Sequence, residues 1–460
     1  MKGIIVAGLG GGSGKSVVAV GLCAYYAQQG KRVLPFKKGP DYIDAGWLSL
    51  AAGHACYNLD PFLMSQEALI SSYRQRAATA DMVIIEGNRG LYDGVDAHGG
   101  YSTGELAKLL DLPVLLVVDC TKTTRTIAAL VLGCKMLDPE VNIAGVVLNR
   151  IGSPRHEKIV REAVETYAKV PVVGAYRRMK KDIFPMRHLG VTPFQEYDGA
   201  GDAIVDLAQG VSDNMDLERV EACLADLSDC FDGAGTLGEL PRATVRIGVI
   251  QDAAFQFYYP ENFQALRERG ASLVFINSLT DAALPDDLDA LYIGGGFPET
   301  SAPLLAKNSR FRASVREAAD QGLPIYAECG GLIYLGSEIT LGVDTHCLVG
   351  VFPVTFTIKQ RPQAHGYTVA TATALNPFYP VGTEVKGHEF RYSKVGNWQG
   401  CGADLALDME RGVGFADGGD GLVYKNVLAL YTHVHAIGTP EWASALVGKA
   451  EEFNRLRAPF

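Results

Sequence analysis

Gly8-Leu9-Gly10-Gly11-Gly12-Ser13-Gly14-Lys15-Ser16 joins a short apolar run to a helical pattern. Glycines let backbone N–H groups curl around phosphate oxygens, and a helix N-terminus adds partial positive charge. Lys15 can reach the outer phosphates of a nucleotide, and the Ser16 hydroxyl suits Mg²⁺. Measured from Gly8, the loop is one residue longer than the plain G-x-x-x-x-G-K-S/T pattern. Gly10, Gly11, Gly12, Ser13, Gly14, Lys15 and Ser16 are the expected nucleotide contacts. The bland alternative is a flexible turn, but strand, loop, Lys-Ser and helix all agree with the motif's context.

Two further segments carry charge. Lys37-Lys38-Gly39-Pro40-Asp41-Tyr42-Ile43-Asp44 follows one apolar run, and Glu86-Gly87-Asn88-Arg89-Gly90-Leu91-Tyr92-Asp93-Gly94 follows the next. In a parallel sheet, ligands bind beyond the carboxyl ends of the strands. Asp41, Asp44, Glu86 and Asp93 are therefore candidate catalytic acids. Ser16, Asp44 and Glu86 are candidate Mg²⁺ ligands, and Lys37 is a candidate phosphate-facing cation. Taken singly, each is as readily ordinary turn chemistry.

A third site is nucleophilic. Pro324-Ile325-Tyr326-Ala327-Glu328-Cys329-Gly330-Gly331-Leu332 reads as strand, sharp turn and helix. The turn would expose Cys329, and the helix N-terminus would favour its thiolate. Gly295 and Gly296, at another strand end, could supply an oxyanion hole from their N–H groups. Tyr431-Thr432-His433-Val434-His435 offers a base, with two histidines on one face of a strand. As metal ligands those two lack a third partner at a suitable spacing. His54, His98 and His188 read as structural or surface groups, while His365 and His388 sit in turn-like segments that could line a site. The other eight cysteines (23, 56, 120, 134, 223, 230, 347 and 401) read as small buried hydrophobes.

These residues need strand ends to hold them. Continuous apolar runs predict strands at Gly3–Ala7, Arg32–Phe36, Met82–Glu86, Pro113–Asp119, Ile143–Leu148 and Val170–Gly174. Helical patterns such as Lys15–Gln29, Thr123–Leu137 and Arg155–Ala168 lie between them. Strands apolar on both faces, alternating with helices, predict a doubly wound α/β domain. From about residue 196 the chain turns polar and glycine-rich, then acidic and helical. Asp232–Gly238 reads as a linker. A second α/β series opens at Val245–Ile250. It continues with a helix from Tyr259, strands Ser272–Ile276 and Ala290–Ile293, a helix Phe311–Gln321 and a strand Pro324–Ala327. The last hundred residues read as strands and turns, with a late strand at Leu428–Tyr431 and a terminal helix.

At 460 residues the chain is long enough for roughly two to four domains. It is 48% hydrophobic and 20% charged, which excludes disorder as the main state. With 42 Lys and Arg against 52 Asp and Glu, net charge −10, no nucleic-acid partner is expected. Nine scattered cysteines without a C-x-x-C pair argue against a disulfide framework and for a reducing compartment. The first apolar run is too short for a signal peptide, and no stretch is long enough to span a bilayer. A cytoplasmic location with no membrane partner is the expectation.

In order, these motifs resemble the cobyrinate a,c-diamide synthase family along essentially the whole chain. The loop ending Gly14-Lys15-Ser16 is similar to that of the family and of its dethiobiotin synthetase-like relatives. Lys38 to Asp44, Asn58-Leu59-Asp60-Pro61, Glu86-Gly87, Gly90 to Gly94 and Arg187-His188-Leu189-Gly190 carry the likeness further. In the second half it rests on Ala254-Phe255, Phe257 to Asn262, Gly294 to Glu299, Ala327 to Gly331, and Gly387-His388-Glu389-Phe390. The resemblance implies a P-loop NTPase, dethiobiotin synthetase-like doubly wound domain over 1–195. A helical or linker segment over 196–242 and a class I glutamine amidotransferase-like α/β domain over 243–460 would follow.

The implied activity is that of a carbon–nitrogen ligase using ATP, Mg²⁺ and glutamine. Cys329 attacks the glutamine amide, and His433 matches the activating histidine. The a and c acetate carboxylates of a polycarboxylate tetrapyrrole take up the γ-phosphate as acyl phosphates, and ammonia displaces phosphate. The family's functional acids fall on Asp41, Asp44, Glu86 and Asp93. The glutamate that class I triads place two residues after the histidine is here His435, and the family commonly lacks it. Asn88-Arg89 and the tail from His433 to Trp442 depart from the family pattern, which leaves the macrocycle open. Siroheme and nickel-sirohydrochlorin are alternatives, and Lys38, Tyr42 and Arg89 are the expected substrate contacts. A nucleotide-switched, partner-binding ATPase with a degenerate amidase domain is a further reading, opposed by Cys329, His433 and the four acids. A cobyric acid synthase-like sister fits the Gly39–Asp44 pattern less well. A homodimer is left open.

Overall fold

Ile4, Ile5, Val6, Ile84, Ile85 and Val114 to Val118 are all buried, as continuous apolar strands covered on both faces require. The structure is a computed structural model that describes residues 1–178, 186–187, 190–227 and 240–457. The chain divides into two units, Met1–Gly238 and Glu239–Phe460.

In the first unit, β1 (Lys2–Gly8), β2 (Val33–Lys38), β3 (Tyr57–Leu59), β4 (Met82–Glu86), β5 (Val114–Asp119), β6 (Ile143–Ile151) and β7 (Val172–Arg177) form a sheet. Their order is β3-β2-β4-β1-β5-β6-β7, with parallel pairing throughout. The connections carry α1 (Lys15–Gln28), α2 (Ile43–Ala52), α3 (Gln66–Ala77), α4 (Thr103–Leu110), α5 (Thr126–Leu137) and α6 (Pro154–Ala163). A π-helical turn, Val164–Ala168, extends α6 to the end of the expected helix. The path leaves β1 for β2 on one side and later returns to β5 on the other, which makes the β1 end the switch point where ligands bind. Strands β8 (Met186–Arg187) and β9 (Gly190–Val191) form a small antiparallel pair.

The segment expected as a helical linker is part of this unit. It carries α7 (Ala200–Asn214), α8 (Leu217–Cys223) and β10 (Ala225–Asp226), and β10 pairs antiparallel with β1. Ala203, Leu207 and Val211 fall at helical spacing and join the core against α1. The acidic residues of the expected helical stretch form the solvent face of α7, where Asp202, Asp206 and Asp213 are exposed. Cys230, Asp232 to Gly238 and His188 lie outside the described residues.

The second unit begins with β11 (Val245–Ile250), α9 (Pro260–Glu268), β12 (Ala271–Ile276), β13 (Ala290–Ile293), α10 (Ala302–Lys307), α11 (Ser309–Asp320), β14 (Ile325–Glu328) and α12 (Gly330–Leu335). Next come β15 (Glu338–Leu341), β16 (Asp344–Cys347), β17 (Thr355–Ile358), β18 (Ala364–Ala372), β19 (Glu384–Arg391), β20 (Ser393–Val395) and β21 (Leu407–Arg411). The chain ends with β22 (Gly419–Asp420), β23 (Leu422–Tyr424), β24 (Val427–Leu430), β25 (His433–Val434) and α13 (Glu441–Arg457). The central sheet runs β12-β11-β13-β14-β24-β23, a second runs β22-β21-β18-β19-β25, and a third β16-β15-β17-β20. Trp442 of α13 packs edge-on against Tyr292 and Tyr326, at ring centroid distances of 5.1 and 5.9 Å, and seals one face of the central sheet. Among the described residues no helix is long and apolar enough to cross a membrane.

Candidate active sites

The first site forms where β1, β2 and β4 end side by side. Register pairs Val6 with Glu86 and Lys37 with Glu86, so three strand ends meet without any long reach. Gly14 starts α1 at φ +97°, and a Cβ there would lie 2.0 Å from Asn149 Nδ2. Only glycine meets both demands. Asn149 at the end of β6 donates to Ser13 O at 2.8 Å and so braces the loop. Among the described residues the crown is open: a Cβ on Gly10, Gly11 or Gly12 would meet nothing within 4 Å.

Charges converge below that crown. Lys37 is fully buried; its Nζ donates to Asp44 Oδ2 at 2.7 Å and Gly87 O at 3.2 Å, and lies 3.2 Å from Glu86 Oε1. Ser16 Oγ donates to the same Glu86 oxygen at 2.7 Å. Asp41 Oδ1 accepts the Asp44 N–H at 2.9 Å at the start of α2. Burial opposes charge on Lys37, but Asp44 and Glu86 outweigh it and raise its pKa. Burial lowers Lys15, with Lys37 adding to the effect. Burial raises Glu86 to about 7 despite Lys37, and burial with Asp44 raises Asp41 to about 6. Asp44 is held low against burial by Lys37.

Glu86 Oε2 and Ser13 Oγ are buried without a hydrogen-bond partner among the described residues. Such groups are costly unless a ligand completes them. Two carboxylates and a hydroxyl at Asp44, Glu86 and Ser16 form a donor set that fits Mg²⁺, which takes few protein oxygens and keeps phosphate and water ligands.

The remaining expected residues sit around this cluster. Tyr42 caps α2. Lys38 is buried and lowered by that burial, opposed by Asp60 and reinforced by Lys37 and Arg89. Arg89 takes φ +50°. Asp93 is exposed, and its Oδ2 accepts the Gly90 N–H at 2.8 Å. Gly90 bridges Leu9, and Leu91 N–H donates to Gly8 O at 2.7 Å, so Asp93 braces a loop stitched to the phosphate loop. Asn58, quoted in a motif but given no role, pins the Lys38–Asp41 turn through Gly39 O and Asp41 O at 2.7 and 3.0 Å.

The second site lies at the end of β14. Cys329 adopts φ +46° and ψ −95°, and its N–H donates to Leu430 O of the neighbouring strand at 2.8 Å. This is a strained backbone for a non-glycine residue, of the kind that clusters at reactive groups. The glycines around it are filled by their neighbours. A Cβ on Gly331 would lie 2.4 Å from Ile293 O, one on Gly330 3.0 Å from Gly296 N, and one on Gly295 2.2 Å from His433 Cε1. The Gly296 N–H therefore lies against the Cys329 turn, where an oxyanion donor is needed.

His433 is buried and hydrogen-bonds Cys329. Its Nδ1 lies 3.6 Å from Glu328 Oε2. Burial opposes its charge, but Cys329 and Glu328 outweigh burial and raise its pKa to about 10. His388 is its register partner on β19, and the two rings stack at 4.9 Å. Burial, with His433 next, lowers His388 far below its ordinary value, so it stays neutral. His365 is exposed and rests on Phe390.

Expected features differ here in three ways. His433 and His435 do not serve one centre, because β25 ends at Val434 and strand alternation ends with it. His435 turns instead to Glu261, and among the described residues no group of three or more His, Cys, Asp or Glu could hold a metal. The cysteines are not uniformly buried: Cys134 is half-buried, and Cys347, on edge strand β16, and Cys401, which caps a turn, are exposed. Glu328 had no role assigned from sequence, although it stands beside the nucleophile in a quoted motif.

Comparison with known proteins follows the same division. Residues 4–188 match the CobQ/CobB/MinD/ParA nucleotide binding domain, and residues 246–440 match the CobB/CobQ-like glutamine amidotransferase domain. The chain is 41% identical to a cobyrinate a,c-diamide synthase of Magnetococcus marinus, over 94% of each chain. It is 38% identical to those of Archaeoglobus fulgidus, over 97% of each chain, and Dehalococcoides mccartyi, over 98% of each.

Proposed function

Because the chain belongs to the cobyrinate a,c-diamide synthase family, we propose that it converts the a and c acetate carboxylates of cobyrinate to amides. It is an ATP- and glutamine-dependent amide ligase. At the second site, Cys329 Sγ attacks the side-chain carbonyl carbon of glutamine. The developing oxyanion is met by the Gly295 and Gly296 N–H groups. The C–N bond breaks, His433 gives its proton to the departing ammonia, and water then cleaves the thioester to glutamate with His433 as base.

At the first site, Gly10 to Gly14 present backbone donors to the ATP phosphates, and Lys15 and Lys37 stabilise charge as the γ-phosphoryl group transfers. The substrate carboxylate attacks the γ-phosphorus, and the bond to the bridging oxygen breaks to leave ADP. Ammonia attacks the resulting acyl phosphate, and phosphate leaves. Ser16, Asp44 and Glu86 would hold Mg²⁺, which neutralises phosphate charge when bound. Asp41 faces the same cluster, Asp93 braces its loop, and Lys38, Tyr42 and Arg89 meet the macrocycle's carboxylates.

The observation that supports this most is the presence, in one chain, of the Cys329–His433 pair and the Ser16–Lys37–Asp44–Glu86 cluster. Mass spectrometry of products from a panel of tetrapyrroles, with ATP and glutamine, tests it. Cobyrinate should gain two amide groups. Two amides on siroheme or nickel-sirohydrochlorin, with none on cobyrinate, would replace the substrate assigned here.

A further inference from the structure

An imidazole that must work through one nitrogen needs its other nitrogen held. His435 occupies the position where a class I triad keeps the acid for this, and its ring is engaged elsewhere. Its Nε2 lies 3.7 Å from Glu261 Oε1, and its Nδ1 accepts the Ile437 N–H at 3.2 Å. We propose that Glu328, immediately before the nucleophile, is the acid that positions His433, holding Nδ1–H so that Nε2 meets Cys329. This rests on the Cys329–His433 reading given above.

Topology delivers the contact. The β14–β24 register pairs Glu328 with Leu430, three residues before His433. From there the chain is steered by Asp420, whose carboxylate accepts the Tyr431 N–H at 2.9 Å and the Thr432 N–H at 3.0 Å. His433 is thereby brought back over the end of β14. On a regular strand, Glu328 and Cys329 would point to opposite faces. The positive φ at Cys329 breaks that alternation, so two consecutive residues reach one imidazole.

Glu328 is held for this role. It is 1% exposed, its Oε1 accepts the Val434 N–H at 3.3 Å, and its Oε2 accepts the Tyr292 hydroxyl at 3.3 Å. Tyr292 in turn accepts from Asn262 Nδ2, which also donates to Val434 O at 2.8 Å, while Asn262 Oδ1 takes the Ala436 N–H at 2.7 Å. Acid and histidine are thus fixed by one network. At 3.6 Å the contact is an ion-pair distance, and such contacts are commonly long before substrate binds. The groups facing His433 are Cys329 from the turn after β14, Glu328 from β14 and His388 from β19. His388 Nδ1 lies 3.3 Å from the Tyr259 hydroxyl. His435, two residues on, faces Glu261. Of these, Glu328 supplies the negative charge that keeps a proton on His433 Nδ1.

The test compares Glu328→Gln, Glu328→Asp and Cys329→Ser in the full-length enzyme. Glutamine hydrolysis is read as kcat and KM, and Cys329 alkylation by iodoacetamide is read against pH. Amidation driven by added ammonium salt checks that each variant is folded. Glu328→Gln should lower glutaminase kcat about 10- to 100-fold, with the KM for glutamine within about twofold. It should also move the rise of Cys329 alkylation to higher pH, because an imidazolium without its carboxylate partner stabilises the thiolate less. Glu328→Asp, which keeps the charge, should recover part of kcat. An unchanged kcat in Glu328→Gln, or an alkylation profile that does not move in either variant, overturns the proposal. If Glu328→Gln proves unfolded, the alkylation profile and kcat of Glu328→Asp against wild type decide in the same way. Glutaminase activity surviving in Cys329→Ser would instead remove the reading on which the proposal rests.

Discussion

Both sites hang on glycine-rich turns at the ends of parallel strands, yet their glycines do opposite things. Around Cys329 the missing side chains are replaced by the protein: Ile293 O, Gly296 N and the His433 ring fill the space a Cβ would take. Around the phosphate loop, among the described residues, a Cβ on the crown glycines would meet nothing within 4 Å, and Glu86 Oε2 is buried without a hydrogen-bond partner. One site is completed by its own fold, as the covalent chemistry proposed for it requires. In the reading proposed above, the other is completed by its ligands: phosphates in the open crown and a cation at Glu86. Preorganisation in the first is steric, and in the second electrostatic.

The sharpest way to break this contrast is to disable each site and supply ammonia. Cys329→Ser should cut glutamine-driven amidation by about 10³-fold or more while ammonium-driven amidation continues. Lys37→Met should cut both by about 10²-fold, since it leaves Asp44 and Glu86 without their buried counter-charge. Loss of ammonium-driven amidation in Cys329→Ser would mean that the two chemistries are not separable.

A matched pair of alanine substitutions sharpens it further. Gly295→Ala should displace His433 and lower glutaminase kcat about 10²-fold with nucleotide KM unchanged. Gly14→Ala should raise the KM for ATP about tenfold through backbone strain and the clash with Asn149, and spare glutaminase. Steady-state kinetics with each substrate varied separately will show the crossover, and equal effects on both activities would undo the contrast. The smallest expected effect is at Arg89. Its alanine variant should raise the tetrapyrrole KM about five- to tenfold, and an unchanged KM would remove Arg89 from the substrate contacts.

Sequence already showed most of what lies on continuous apolar runs. Strands β4, β11 and β13 fall on the expected residues, and the other expected strands shift by one to three residues at their ends. Local spacing pointed to Lys15 and Cys329 and to the α/β pattern, and the family likeness added the two domain families and singled out His433. What escaped has a physical reason in each case. Helix α3 buries only Leu69, Ser72, Tyr73, Arg76 and Ala77, two of them polar, so its core face does not stand out as an apolar stripe. Helix α7 was expected as a helix, but its acidic outer face gave no sign that its other face joins the first unit's core. Asn149 braces Ser13 from 136 residues away, and Glu328 meets the His433–Val434 segment across 106, separations that no local spacing encodes. Asp93 was drawn with the other acids by proximity in sequence, whereas its carboxylate turns back on Gly90.

Cys329 is carried by the six-stranded sheet and His433 by the five-stranded one, since β25 pairs with β19 and not with β24. The gap between thiol and imidazole is therefore also a gauge of how those two sheets are seated. A slip of about 1 Å between them would part nucleophile from base, at a cost of about 10²-fold, without altering either residue. The amidase unit thus ties the spacing of Cys329 and His433 to the registry of two sheets as well as to the two residues themselves.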